Sequence, residues 1–139
     1  MSKYIHTVNY YETDKMGITH HLNYIRFMEE ARPDFLAEIG FPMTMLEKEE
    51  ITSPPVVALS CDYKHTTTFG DEIKIEVQVA GYADVRLTLS YTMRNEATNV
   101  LVATATSVHC FLNAEGLPIP VKKYFPALDA ILRQKGPPY

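Results

Sequence analysis

One helical stripe, set in a chain otherwise patterned for strands, restricts the fold more than any other feature. From Asn23 to Ile39 the apolar residues Tyr24, Phe27, Met28, Ala31, Phe35, Leu36 and Ile39 recur at helical spacing, with Arg26, Glu29, Glu30, Asp34 and Glu38 mostly opposite. Asn23 is placed to cap the N-terminus and Gly40 the C-terminus. Pro33 interrupts the pattern: it has no amide donor and crowds the carbonyl of Glu29. A kink is expected there rather than a stop, because the stripe continues in phase beyond it.

The rest of the chain alternates. Val57, Leu59, Cys61 and Tyr63 form one apolar face, Ile73, Ile75, Val77 and Val79 a second, and Val85, Leu87, Leu89, Tyr91 and Met93 a third. Period two with polar residues between is the mark of antiparallel strands buried on one side. Residues 99–112 are apolar or small on both faces, which predicts a central strand or one covered by a partner. Residues 3–9 read as a short, weakly alternating strand, and residues 41–55 as a polar stretch with room for a short helix. A last helix is expected over 126–134, carrying Leu128, Ile131 and Leu132 inward behind Pro126. Short connections around Gly70, Gly81, 95–99 and 113–116 predict that successive strands pair as hairpins. A lone helix with so broad a stripe is buried only if the sheet curls around it. The expectation is therefore α+β: a curled antiparallel sheet of about five strands wrapped around one long helix. Its convex face and edge need cover, which symmetric dimerisation supplies.

Composition narrows the class. The 139 residues fit a single domain, 1–139, with 46% hydrophobic content. A formal net charge of −4, with Lys and Arg scattered, argues against a nucleic-acid partner. No apolar run is long enough to span a bilayer, and residues 1–14 lack the pattern of a signal or transit peptide, so a cytoplasmic protein is expected. Cys61 and Cys110 fall inside strand patterns and read as buried free thiols.

The residues ahead of the helix carry the chemistry. Asp14 is followed by Gly17, the pair His20–His21, Asn23 and Tyr24. As a carboxylate, Asp14 is equipped to serve as nucleophile or base; as a loop acid it also suits turn amides. The first amides of a helix starting near Asn23 point outward with the positive end of the dipole behind them, which suits a developing oxyanion. His21 either orients a substrate or holds the loop, Asn23 caps the helix, and Tyr24 is core or pocket wall. His20–His21 is a poor metal pair, since adjacent side chains diverge and no third ligand lies at a recognisable spacing; no metal is expected. Neither cysteine has a base or an electropositive setting. Lys64, Arg86, Arg94, Lys122 and Lys123 are candidate phosphate contacts or solvated charges, and the run Thr66–Thr68, with Thr67 at its centre, offers a hydroxyl opposite the acid or simply strand propensity.

The segment Tyr10-Tyr11-Glu12-Thr13-Asp14, Gly17, His21-Leu22-Asn23-Tyr24, Phe27-Met28-Glu29 and Ala31-Arg32 resembles the hotdog-fold acyl-CoA thioesterases of the 4-hydroxybenzoyl-CoA thioesterase type. Pro55-Val56-Val57 leading to Asp62-Tyr63, then Gly70-Asp71, and His109 through Gly116-Leu117-Pro118 extend the likeness over nearly the whole chain. The resemblance implies a hotdog fold and hydrolysis of an acyl-CoA thioester to free acid and CoA. It makes Asp14 catalytic, with helix N-terminal amides polarising the carbonyl, and gives substrate contacts to Gly17, His21, Asn23, Tyr24 and Thr67. It implies no cofactor beyond the CoA of the substrate, and a homodimer or homotetramer with the site at the subunit interface. Met16, Ile18 and Pro33 depart from the usual pattern in ways that reshape an acyl pocket without removing a catalytic atom. Two rivals stand beside this expectation. One is a hotdog dehydratase or hydratase acting on 3-hydroxyacyl thioesters, for which His21 speaks; the other is a non-catalytic acyl-binding dimer.

Overall fold

The computed structural model describes residues 2–48, 55–83 and 85–136. Five antiparallel strands form one sheet: β1 (Ser2–Thr7), β2 (Val56–Tyr63), β3 (Glu72–Ala83), β4 (Arg86–Asn95) and β5 (Leu101–Cys110), in the order β1-β3-β4-β5-β2. The long helix α1 covers Leu22–Glu38, α2 covers Met43–Lys48, α3 Val121–Tyr124 and α4 Pro126–Lys135. The expected α+β architecture of one curled sheet around one long helix is what forms. No helix among the described residues is long and apolar enough to cross a membrane.

Alternation is obeyed where it meets the helix. On β3, Ile73, Ile75, Val77 and Val79 are buried, and on β4 Leu87, Leu89, Tyr91 and Met93 are buried, all on the face that receives α1. The helix brings Tyr24, Phe27, Met28, Ala31, Phe35 and Leu36 to the same core. Burying each of the larger apolar side chains contributes roughly 1.5–3 kcal/mol. That drive carries α1 through Pro33 as one continuous helix.

The C-terminus of α1 closes as the sequence predicts. Gly40 takes φ 95°, its amide donates to the Ala37 carbonyl, and the Phe41 amide donates to the Leu36 carbonyl. These are the two bonds of a Schellman motif. The N-terminus differs from expectation: the helix begins at Leu22, so Asn23 lies within the first turn instead of capping it.

Two strand expectations need correction. β3–β4 and β4–β5 are hairpins, but β2 pairs with β5 and β1 with β3, so the sheet is not a run of successive neighbours. The helix between β1 and β2 carries the chain across the concave face, which places those strands on opposite edges. The second concerns β2 itself. Its alternating face was expected to be buried, yet Val56, Val57, Leu59 and Tyr63 are all exposed, and Cys61 is half-buried. β2 lies at the sheet edge, where β5 is its one partner strand among the described residues. β5, apolar on both faces, is interior as expected. Cys61 and Cys110 are free thiols, and α2 lies within the stretch expected to hold a short helix, whose residues 49–54 fall outside the described ones.

Candidate functional site

The acid sits in a loop tied down at several points. After a 3-10 turn at Tyr10–Glu12, Thr13 bridges to Thr19 and Ile18 to Thr68. The Asp14 amide donates to the Ile18 carbonyl at 2.9 Å, and the Gly17 amide to the Asp14 carbonyl at 3.0 Å. Gly17 adopts φ 78°, a conformation glycine accepts without steric cost, and its carbonyl accepts from Thr68 Oγ1 at 2.8 Å. The turn holds the Asp14 side chain as well: Oδ1 accepts the Met16 amide at 2.8 Å. This is an Asx turn, and it uses one carboxylate oxygen. Among the described residues Oδ2 meets no partner, so the loop role and a chemical role coexist in one side chain.

The start of α1 is built on Glu12 and His20. The Glu12 carbonyl accepts the His20 amide and Asn23 Nδ2, both at 2.8 Å. Asn23 is thus a brace between loop and helix, correcting its assignment as cap. His20 supplies the capping groups: its Nδ1 faces the Leu22 amide at 3.2 Å and its carbonyl the Asn23 amide at 3.0 Å. The Tyr24 amide reaches the His21 carbonyl at 3.3 Å. The first helical amides therefore have internal partners. The His21 amide, one position ahead of the helix, has no acceptor among the described residues.

A cavity of about 230 Å³ opens here. Ile18, Thr19, His21 and Tyr24 form one wall; Tyr63, Lys64, His65 and Thr66, at the end of β2, form the other. Asp14 and Gly17 lie in the turn beside the cavity. Tyr63 meets Tyr24 edge-on at 5.5 Å between ring centroids and His21 at 6.1 Å, while His21 stacks on His20 at 4.4 Å. The Tyr63 hydroxyl donates to the His21 carbonyl at 3.0 Å. Desolvation first, then the neighbouring Cys61 and Tyr24, push Tyr63 up to about 12, so it remains a donor through neutral and alkaline pH. Burial raises Tyr24 as well, opposed by its hydrogen bonds to Thr67 and Thr19. Burial likewise raises Cys61, which disfavours the thiolate a nucleophile needs.

Thr67 does not face this cavity. It is 3% exposed, and its hydroxyl lies 2.6 Å from Thr19 Oγ1 and 2.8 Å from the Tyr24 hydroxyl. Its backbone completes the same knot, since the Thr19 amide donates to the Thr67 carbonyl at 2.8 Å. Thr67 fixes the wall from behind, through Thr19 and Tyr24. Of the five basic residues considered for phosphate, Lys64 lines the cavity. The sequence placed Ile18 at the acyl pocket but gave no sign of Tyr63 or His65 there; period two marks Tyr63 as core. No group of three or more His, Cys, Asp or Glu among the described residues is arranged to hold a metal ion. A second cavity, about 340 Å³, lies between Phe35, Val77–Val79 and Lys135, and its wall has neither acid nor nucleophile.

Known proteins share this fold. The sequence pattern of the thioesterase-like superfamily matches residues 8–133. YneP of Bacillus subtilis (strain 168), provisionally named an acyl-CoA thioesterase, is 32% identical over 120 residues, covering 86% of either chain. The DHNA-CoA thioesterase of Staphylococcus aureus superposes with a TM-score of 0.90 at 29% identity, over 96% of this chain and 89% of that one. A gentisyl-coenzyme A thioesterase superposes with a TM-score of 0.78 at 26% identity, over 85% of this chain and 94% of the other.

Proposed function

The chain belongs to the thioesterase-like superfamily of thioester hydrolases and has its hotdog fold, and from that premise we propose that it hydrolyses an acyl-CoA thioester with Asp14 as the catalytic carboxylate. The observation that carries this reading is the split use of Asp14. Oδ1 is locked by the Met16 amide, which orients the side chain, while Oδ2 has no partner among the described residues, beside a cavity walled by Ile18, Thr19 and His21. Oδ2 either attacks the thioester carbonyl carbon or takes a proton from the water that does. The carbon–sulfur bond then breaks, CoA leaves as the thiol, and the acid is released, after hydrolysis of the anhydride in the nucleophilic case. Negative charge gathers on the carbonyl oxygen during the attack. The His21 amide, without an acceptor among the described residues and aligned ahead of α1, is the donor assigned to it.

The cavity favours a compact, flat acyl group. Tyr24, Tyr63 and His21 present ring surfaces to about 230 Å³, which suits an aromatic ring system. Lys64 at the rim suits a CoA phosphate. The solved relatives named for DHNA-CoA and gentisyl-coenzyme A agree with that size class. A second copy of the chain, pairing along β2, would complete the wall that Tyr63 to Thr66 begin, making a homodimer the smallest active unit.

The test is release of free thiol from a panel of aryl- and alkyl-CoA thioesters by wild type and Asp14→Asn. Asparagine keeps an oxygen for the Met16 amide, so the loop should survive. Loss of about 10²-fold or more in kcat is expected, as for removal of a reacting group. A mutant as fast as wild type would remove Asp14 from the mechanism. A panel left untouched by the wild type would sink the hydrolase reading for these substrates.

A further inference from the structure

Beneath the loop of Asp14 lies a buried charged cluster that the mechanism above does not use. His6 projects inward from β1 and is 8% exposed; its ring stacks on Phe27 with centroids 4.1 Å apart. Nε2 lies 2.8 Å from Oε1 of Glu12, which is 2% exposed. Nδ1 lies 3.4 Å from Oε2 of Glu30, on α1. That Glu30 oxygen is itself buried and has no hydrogen-bond partner among the described residues, so its contact with Nδ1 is one of proximity. Each ring nitrogen therefore faces a carboxylate oxygen. Glu12 is buried with the ring, whereas the Glu30 side chain is 37% exposed.

Glu12 is where this cluster meets the site. Its Oε1 also accepts the Asn9 amide at 2.7 Å, closing the 3-10 turn two residues before Asp14. Its carbonyl holds the His20 amide and Asn23 Nδ2, the two bonds that set the start of α1 and hence the His21 amide. A single residue thus fixes both the turn that presents Asp14 and the helix end assigned to the oxyanion. Its own orientation depends on the contact with His6.

We propose that His6 is a positioning residue for thioester hydrolysis: its ring holds Glu12 through Nε2 and lies against Glu30 at Nδ1, joining β1, the Asp14 turn and α1 into one rigid clamp. The inference rests on the reading of Asp14 as the catalytic carboxylate. His6 touches no substrate. It acts by holding the acid and the amide in mutual register, where small displacements are costly in rate.

Kinetics of His6→Gln, Glu12→Gln, the double variant and Asp14→Asn test it on a hydrolysed acyl-CoA. His6→Gln takes the ring nitrogen away from the buried Glu12 carboxylate, and a fall in kcat of about 10- to 100-fold with unchanged KM is expected. Adding Glu12→Gln removes that charge, while its amide oxygen still accepts the Asn9 amide and pairs with the side-chain amide introduced by His6→Gln. The double variant should regain most of the lost kcat. If His6 serves packing alone, removing a charge from its neighbour restores nothing, and a double variant as slow as His6→Gln overturns the clamp. So does His6→Gln at the wild-type rate while Asp14→Asn is dead. If His6→Gln does not fold, Glu12→Gln decides alone: a folded protein with reduced kcat supports the clamp, and a wild-type kcat overturns it. Asp14→Asn at the wild-type rate removes the reading on which the clamp rests, and the clamp with it.

Discussion

Asp14 and Thr67 enter as candidates for one site, and their surroundings separate them. Asp14 spends one oxygen on its own turn and keeps the other, whereas Thr67 spends its hydroxyl on Thr19 and Tyr24. Replacing Thr67 with valine keeps the volume and removes the hydroxyl, leaving two buried hydroxyls short of a partner. A loss of about 1–3 kcal/mol in unfolding free energy is expected. KM should stay within the wild-type range, because the residue faces the interior. Denaturant titration reads the first quantity and substrate titration the second; a KM change without destabilisation would return Thr67 to the substrate wall. The position of Asp14 was legible because an acid, a glycine and a helix start in fixed order leave a mark on the sequence. Thr67 and Tyr63 were not, because a period-two pattern says which residues share a face but not which face a partner or cavity takes. His6 left a mark that went unread: Tyr4, His6 and Val8 share one face of β1, which puts a histidine at an apolar position.

At the scale of elements, helix ends and anchor points carry the testable content. Gly40 at φ 95° closes α1, and its Cβ position is open space, so Gly40→Ala meets no clash and isolates the backbone cost. About 1–2 kcal/mol of destabilisation is expected for alanine in this left-handed conformation; thermal unfolding would show it, and an unchanged midpoint would contradict the Schellman closure. α4 is anchored differently. Asp129, 4% exposed, accepts from the Tyr82 hydroxyl at 2.7 Å and from Arg133 Nε at 3.0 Å. Burial alone raises its carboxyl, but Tyr82 and Arg133 outweigh that and hold it below the usual 3.8. Because the folded value is the lower one, the anchor contributes fully above pH 3.8 and fades as pH falls through the folded value. Asp129→Asn should therefore be less stable than wild type by about 1–2 kcal/mol near neutrality. The two unfolding curves should converge as pH drops below 3.8; a constant gap down to acid pH would show that the carboxylate charge is not what holds α4. The helix stripe and its glycine stop were readable from spacing. So was the passage of the helix through Pro33, because the stripe continues in phase beyond it.

For the molecule as a whole, β2 decides how many chains make one working unit. Its alternation suggested a buried face, yet in a single chain Val57 is 55% exposed and Leu59 38%, on a strand at the edge of the sheet. An edge strand with exposed apolar side chains is a site for strand pairing, and cover by another copy is one way such an edge is protected. Two copies meeting antiparallel along β2 across a twofold axis would satisfy both the backbone and the side chains. Period two alone does not say whether such a face is covered by the chain's own helix, by another copy or by neither. The consequence reaches the chemistry, because Tyr63 ends β2, Lys64, His65 and Thr66 follow directly from it, and all four wall the cavity beside Asp14. A lysine placed on this edge should oppose pairing without touching the α1 core. Leu59→Lys is therefore expected to shift the chain from dimer to monomer in size-exclusion chromatography with light scattering. Thioester turnover should fall in parallel, and should recover as protein concentration is raised and the dimer re-forms. A wild-type chain that is monomeric at assay concentration and fully active would defeat this account of β2. A Leu59→Lys monomer retaining wild-type kcat would leave the dimer in place but show that each site is complete within its own chain.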